Sequence, residues 1–134
     1  MPFFDDNLFE HMAPRASAPF TFLVAADNPF GPEPLELDLV FAGRPSPYWN
    51  ELQKQKKEDD FDKATRRAAA LFGRYAVTGW RGCSVPWSPD AASELLLRMA
   101  QKDRWDKVNE AIGFAVDEDN FKAPLVRATD LGKR

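Results

Sequence analysis

The chain predicts an α+β domain, mostly helical, with an N-terminal antiparallel β element and a C-terminal helical pair. Three observations carry this. Strict alternation of apolar residues occurs only early, at Phe20, Phe22 and Val24 and again at Leu35, Leu37, Leu39 and Phe41. Helical stripes fill the rest, from Tyr48 to Tyr75 and from Ala92 to Val116. Ser46-Pro47 and Ser88-Pro89 mark two helix starts, each placing a capping hydroxyl before a proline whose missing N–H costs little at the first helical position. At 134 residues the chain has the length of one ordinary domain, enough to bury a single core without disulfides or metals.

Residues 1–19 hold Phe3, Phe4, Leu8, Phe9 and Met12 among Asp5, Asp6, Glu10, Pro14 and Pro19 without a sustained period, and read as an arm before a single domain at 20–134. The β element spans 20–42, two strands around a proline-rich loop from Asp27 to Pro34, within a two-stranded or slightly larger antiparallel element packed on helices. Prolines cannot donate to a ladder, and Pro29 pushes Asn28 toward extended geometry. Two strands alone are marginal, so the Leu35, Leu37, Leu39 and Phe41 face must pack on helices or on another subunit.

A charged helix, or helices, follows over 46–75. Its first apolar residues are Tyr48, Trp49 and Leu52, and the stripe resumes at Phe61, Ala64, Ala68, Leu71, Phe72 and Tyr75. About nine residues at ~100° each separate Leu52 from Phe61, which puts the two stripes on opposite sides of a straight helix and predicts a break between Lys54 and Asp60. The charges around the break, with Asp59 and Lys63 or Asp62 and Arg66 spaced i,i+4, read as a solvated face.

Gly79-Trp80-Arg81-Gly82 reads as a turn, with Trp80 and Trp87 pinning a packed junction onto the helices. The helical pair spans 88–117. Ala92, Leu95, Leu96, Met99 and Ala100 form one stripe; Asp103 caps a last helix with Trp105, Val108, Ile112 and Val116, antiparallel to the first. The expected core is Trp80, Trp87, Leu95, Leu96, Trp105, Val108 and Ile112. On that reading Trp80→Ala costs about 3–5 kcal/mol if the ring is fully buried, and a loss below about 1 kcal/mol places it in an interface.

The chemistry of the chain argues against catalysis. His11 is the only histidine and Cys83 the only cysteine, so one chain cannot assemble the usual four-ligand zinc site. No catalytic residue, cofactor site or metal site is expected. The acids cluster as Glu58-Asp59-Asp60 and Asp117-Glu118-Asp119, like solvated helix ends. Cys83 has no histidine near it in sequence and reads as a structural thiol. The Gly79 to Gly82 turn lacks the spacing and lysine of a phosphate loop. A net charge of −3, from 18 basic and 21 acidic residues, disfavours nucleic acid. The longest apolar runs, Phe22 to Ala26 and Ala68 to Phe72, fall far short of the roughly 18–20 residues of a membrane span. With one cysteine and no signal-peptide core, the expected location is a reducing cytosol. What remains is surface. Phe3, Phe4, Phe9 and Phe30 lie in irregular segments and, with Trp49 and Trp87, are the candidate partner-binding residues. An arm of this kind equally folds back onto its own domain.

The order of parts resembles the small tail assembly chaperones of long-tailed bacteriophages: a β-rich N-terminal segment, a charged helix, a V-x-G-W-x-G turn and a P-W-S-like helix start. The likeness is carried by Val77, Gly79, Trp80, Gly82, Val85, Pro86, Trp87 and Ser88, supported by Leu95, Leu96 and Asn120-Phe121. It covers the C-terminal half and, loosely, Phe20 to Leu52. The resemblance implies a non-enzymatic helper in the host cytoplasm that coats the tape measure protein and recruits tail tube subunits, with self-association into a homo-oligomer also compatible. The competing expectation is a structural virion component, a small capsid, connector or tail protein whose arm and loop are ordered by neighbouring subunits. A third is a regulatory domain that binds a host protein.

Overall fold

The structure is a computed structural model that describes residues 17–55, 57, 59–101 and 104–121. Strands β1 (Ala18–Leu23), β2 (Leu35–Leu39) and β3 (Val77–Arg81) form a three-stranded antiparallel sheet in the order β1-β2-β3. The helices are α1 (Pro47–Lys54), α2 (Phe61–Ala76), α3 (Pro89–Gln101) and α4 (Trp105–Val116), with short 3-10 turns at Ala25–Asp27 and Glu118–Phe121. The α+β fold is therefore the observed one, with one strand more than the two read from alternation. Residues 77–81 combine Val, Thr and Trp, all good strand formers, with a glycine that suggested a turn. Gly79 instead sits opposite Asp38, where the close approach of the Asp38 side chain leaves little room for a larger residue. Ala18 and Pro19, assigned to the arm by their sequence, belong to β1.

Alternation on β2 sorts its two faces. Leu35, Leu37 and Leu39 are fully buried, while Glu36 and Asp38 face outward. Arg81 on β3 bridges both acids, with Nη1 donating to the two Asp38 oxygens at 2.9 Å and Nε and Nη2 donating to Glu36 Oε2 at 3.2 and 3.0 Å. Hydrogen bonding to Asp38, then to Glu36, raises the Arg81 pKa above its usual value. The cluster is exposed, so it adds register more than stability. On β1 the register shifts between Thr21 and Leu23, and Phe22 and Leu23 are both buried although adjacent in sequence.

Helix starts follow the capping chemistry. Ser46 Oγ accepts from Trp49 N–H at 3.1 Å, Ser88 Oγ from Ala91 N–H at 3.0 Å, and Asp60 Oδ1 from the Asp62 and Lys63 N–H groups. The expected break between Lys54 and Asp60 separates α1 from α2. Asp103, the expected cap of the last helix, lies outside the described residues.

The buried stripe of α2 differs in phase from the expected one. Ala69, Phe72, Gly73 and Ala76 are buried, Phe61 is 72 % exposed, and Ala68, Leu71 and Tyr75 are only half-buried. Close helix packing decides this. A Cβ on Gly73 would overlap the Ala92 carbonyl, at 2.7 Å from its carbon and 2.9 Å from Ser93 Cα. Small residues let α2 and α3 approach, so fit outweighs apolar size. Arg74 pairs with Asp90 at one end of this contact, and Asp62, Thr65 and Arg66 lie beside Ala100 and Gln101 at the other, so α2 and α3 run antiparallel. This is the broadest helix contact in the fold; α4 touches α3 and also covers β1.

The core lies between the helices and the inner face of the sheet. Phe20 and Phe114 meet at 5.3 Å between ring centroids, Phe121 meets Phe41 and Phe114 edge-on at 6.0 Å, and Tyr48 meets Phe72 edge-on at 5.4 Å. Past the end of β2, Val40 and Ala42 donate to the carbonyls of Ala76 and Ala115, which fastens that strand to the last turns of α2 and α4. Of the expected core, Leu95, Leu96 and Val108 are buried and Trp80, Trp105 and Ile112 pack half-buried against it. Trp87 is a correction: at 36 % exposure it lies outside the core, in the irregular segment between β3 and α3.

Burial of Tyr48 raises its phenol above the usual value of 10.0, because desolvation disfavours the phenolate. The unfolded chain then ionises first as pH rises, so native stability present below about pH 10 declines through the folded pKa. Urea midpoints at pH 8 and pH 10.5 are expected to show this alkaline loss in the wild type and a smaller one in Tyr48→Phe. Equal losses in both would remove Tyr48 as its source.

Candidate functional site

Two loops meet beside α3 and form an apolar cleft. The proline-rich loop after β1 brings Phe30, β3 brings Trp80, the segment after it brings Cys83 and Val85, and α3 presents Ala91, Glu94, Leu95 and Arg98. The cleft holds about 180 Å³, close to the volume at which an apolar cavity accepts one aromatic ring. Leu95 is nearly buried and forms its floor, and Val85 is 45 % exposed at its lip. Glu94 and Arg98, one turn apart, pair at 2.8 Å and form a charged rim.

Local chemistry explains why the loops meet. Gly82 has φ +78°, the left-handed region, which turns the chain sharply after β3. Its backbone packs on the other loop: a Cβ there would lie 2.9 Å from the Pro34 carbonyl carbon and inside contact distance of its oxygen. Ser84 N–H donates to the Phe30 carbonyl at 3.2 Å, and the Trp80 indole N–H donates to the Val85 carbonyl at 2.9 Å. Asn28, 8 % exposed, accepts from Phe30 N–H at 2.9 Å and donates to the carbonyls of Glu33 and Gly82 at 2.6 and 2.7 Å. Among the described residues no buried side-chain polar atom lacks a hydrogen-bond partner. The lining therefore favours an apolar guest that asks for no hydrogen bonds.

Of the sequence-derived candidates, Phe30 lines the cleft. Trp49 sits half-buried on α1 and Trp87 projects from the loop leading into α3; neither lines it. Phe3, Phe4 and Phe9 lie outside the described residues, as does His11. Sequence reasoning took Trp80 as buried core and Cys83 as a structural thiol, and did not single out Asn28, Glu94 or Arg98. The Asn-Pro step within a proline-rich loop and the i,i+4 pairing on α3 were the available signals. Half-burial lowers the expected cost of Trp80→Ala to about 1–3 kcal/mol, measurable by urea denaturation, and a loss above about 4 kcal/mol would make that ring part of the core proper.

Among the described residues no group of three or more His, Cys, Asp or Glu is placed to hold a metal ion, and no helix is long and apolar enough to cross a membrane. Comparison with known protein families, with curated proteins and with solved structures gives no match in any of the three.

Proposed function

We propose that this chain is a non-catalytic tail assembly chaperone, which holds apolar helical segments of the tape measure protein and brings tail tube subunits to them in the host cytoplasm. The supporting observation is the open apolar cleft. It is built on Trp80 and Val85, two residues of the segment that carries the resemblance, and the Trp80 indole N–H is already satisfied by the Val85 carbonyl. The cleft's apolar lining binds chiefly by desolvation. Burying one aromatic or leucine side chain contributes roughly 1.5–3 kcal/mol, so a single contact is weak and reversible, as an assembly factor requires. Many copies along one long client supply avidity.

Two measurements test the proposal. The first counts this chain relative to a major tail protein by quantitative mass spectrometry, in purified particles and in the producing lysate. Abundance in the lysate with depletion from particles is the expected result; fixed stoichiometry in particles would replace the chaperone with a structural virion component. The second measures capture of purified tape measure protein by the full chain and by Val85→Asp. A charge at the exposed lip is expected to weaken capture at least tenfold while leaving the thermal midpoint within about 2 °C, since exposed substitutions change stability little. Unchanged capture would move the client site away from the cleft.

A further inference from the structure

We propose that Asn28 is the positioning residue of the cleft: its one carboxamide locks the proline-rich loop to the Gly82 turn and so presets the spacing between the Phe30 wall and the Trp80 to Val85 wall. The cleft walls come from segments far apart in the chain: the Asn28–Gly82 hydrogen bond itself spans 54 positions. Neither wall belongs to a continuous strand or helix at this point, apart from Trp80 in β3. What joins them is largely Asn28. Its oxygen accepts from Phe30 N–H and closes an Asx turn that aims the Phe30 ring. Its NH₂ group donates both protons, one to Glu33 within its own loop and one to Gly82 across the gap. The Ser84 to Phe30 backbone bond then completes the junction. Three directed bonds from one nearly buried side chain use the full geometry of an amide, two donors on one side and an acceptor on the other. Aspartate has no donors, and serine lacks the reach and the second donor.

A preset cleft binds an apolar side chain without first ordering its walls, which lowers the entropy lost on binding. Asn28 thus controls affinity without being required to touch the guest. Its consequence for client capture rests on the reading of the cleft as the client site; its positioning role does not.

The experiment uses the full chain and toluene as a probe of ring-sized apolar binding, followed by the ¹H–¹⁵N signal of the Trp80 indole. Wild type is expected to give a saturable shift, and both Asn28→Ala and Asn28→Asp at least a tenfold weaker one, with far-ultraviolet circular dichroism unchanged. Wild-type affinity in a folded Asn28→Ala would overturn the proposal. Wild-type affinity in Asn28→Asp would do the same, because aspartate keeps the Asx turn and loses the crossing bond. Absence of a saturable shift in the wild type also overturns it, since no preset ring-sized space then exists. Should both variants fail to fold, amide hydrogen exchange of the wild type decides: protection of Phe30 and Ser84 to a similar degree supports the clamp, and exchange of either at the rate of an unstructured chain overturns it. Loss of toluene binding with unchanged tape measure capture would leave Asn28 in its role and remove the cleft as the client site.

Discussion

Replacing Phe72 with alanine is expected to lower the unfolding free energy by about 3–5 kcal/mol, the range for emptying a fully buried aromatic site. Phe72 has no exposed surface, lies on the face of α2 that packs into the core, and meets Tyr48 of α1 edge-on. Its removal therefore loses transfer energy, leaves a void into which the surrounding side chains relax only partly, and breaks the aromatic contact that ties α1 to α2. A domain of this size has a total stability of about 5–15 kcal/mol, so the variant would keep a small margin or unfold at 37 °C. Urea unfolding followed by tryptophan fluorescence measures the difference. A loss under about 1.5 kcal/mol would mean that α1 is not docked on α2 as described.

Gly82→Ala carries the second large effect, about 2–4 kcal/mol. Two terms add. A non-glycine residue held at φ +78° costs about 1–3 kcal/mol, and the new methyl group would press on the backbone carbonyl of Pro34, which is held by its neighbours and cannot move aside as a flexible side chain would. The strain acts at the crossing point of the two loops, so the cleft should open even where the sheet and helices persist. Chemical denaturation gives the stability change, and the Trp80 indole signal reports the loss of its bond to Val85. Stability within about 0.5 kcal/mol of wild type would show that the loop junction relaxes freely.

Both predictions fall at positions where distance along the chain matters. The alternation of Leu35, Leu37 and Leu39 and the Ser46 and Ser88 caps were legible because each depends on residues within one strand or one helical turn. The break after Lys54 was legible for the same reason, since it follows from helical phase alone. The third strand was not. Val77–Arg81 becomes a strand by pairing with β2, some forty residues earlier in the chain as the Thr78 to Asp38 bond measures it (|i−j|=40), and its glycine hides it from any local rule. The phase of α2 was misread because large apolar residues mark a stripe by composition, whereas the real stripe is set by how closely α3 can approach Gly73. Trp87 was misplaced because a tryptophan near a turn serves equally well in a core or on a surface, and only the path of the loop decides between them.

The candidate site divides in the same way. Phe30 was singled out because a large ring in a proline-rich loop is hard to bury, a property of its own segment. Its meeting with Trp80, Val85 and Leu95 in one cleft depended on Asn28 and Gly82 joining segments that no short-range pattern relates. The α+β class, the helix starts, the break after Lys54 and the inward face of β2 are readable from the residues in order, because these follow from steric and hydrogen-bonding preferences of near neighbours. Tertiary structure alone decided the third strand, the face of α2 that packs, the exposure of Trp87 and the existence of the cleft, because each depends on surfaces brought together from distant parts of the chain, where shape complementarity outweighs local preference.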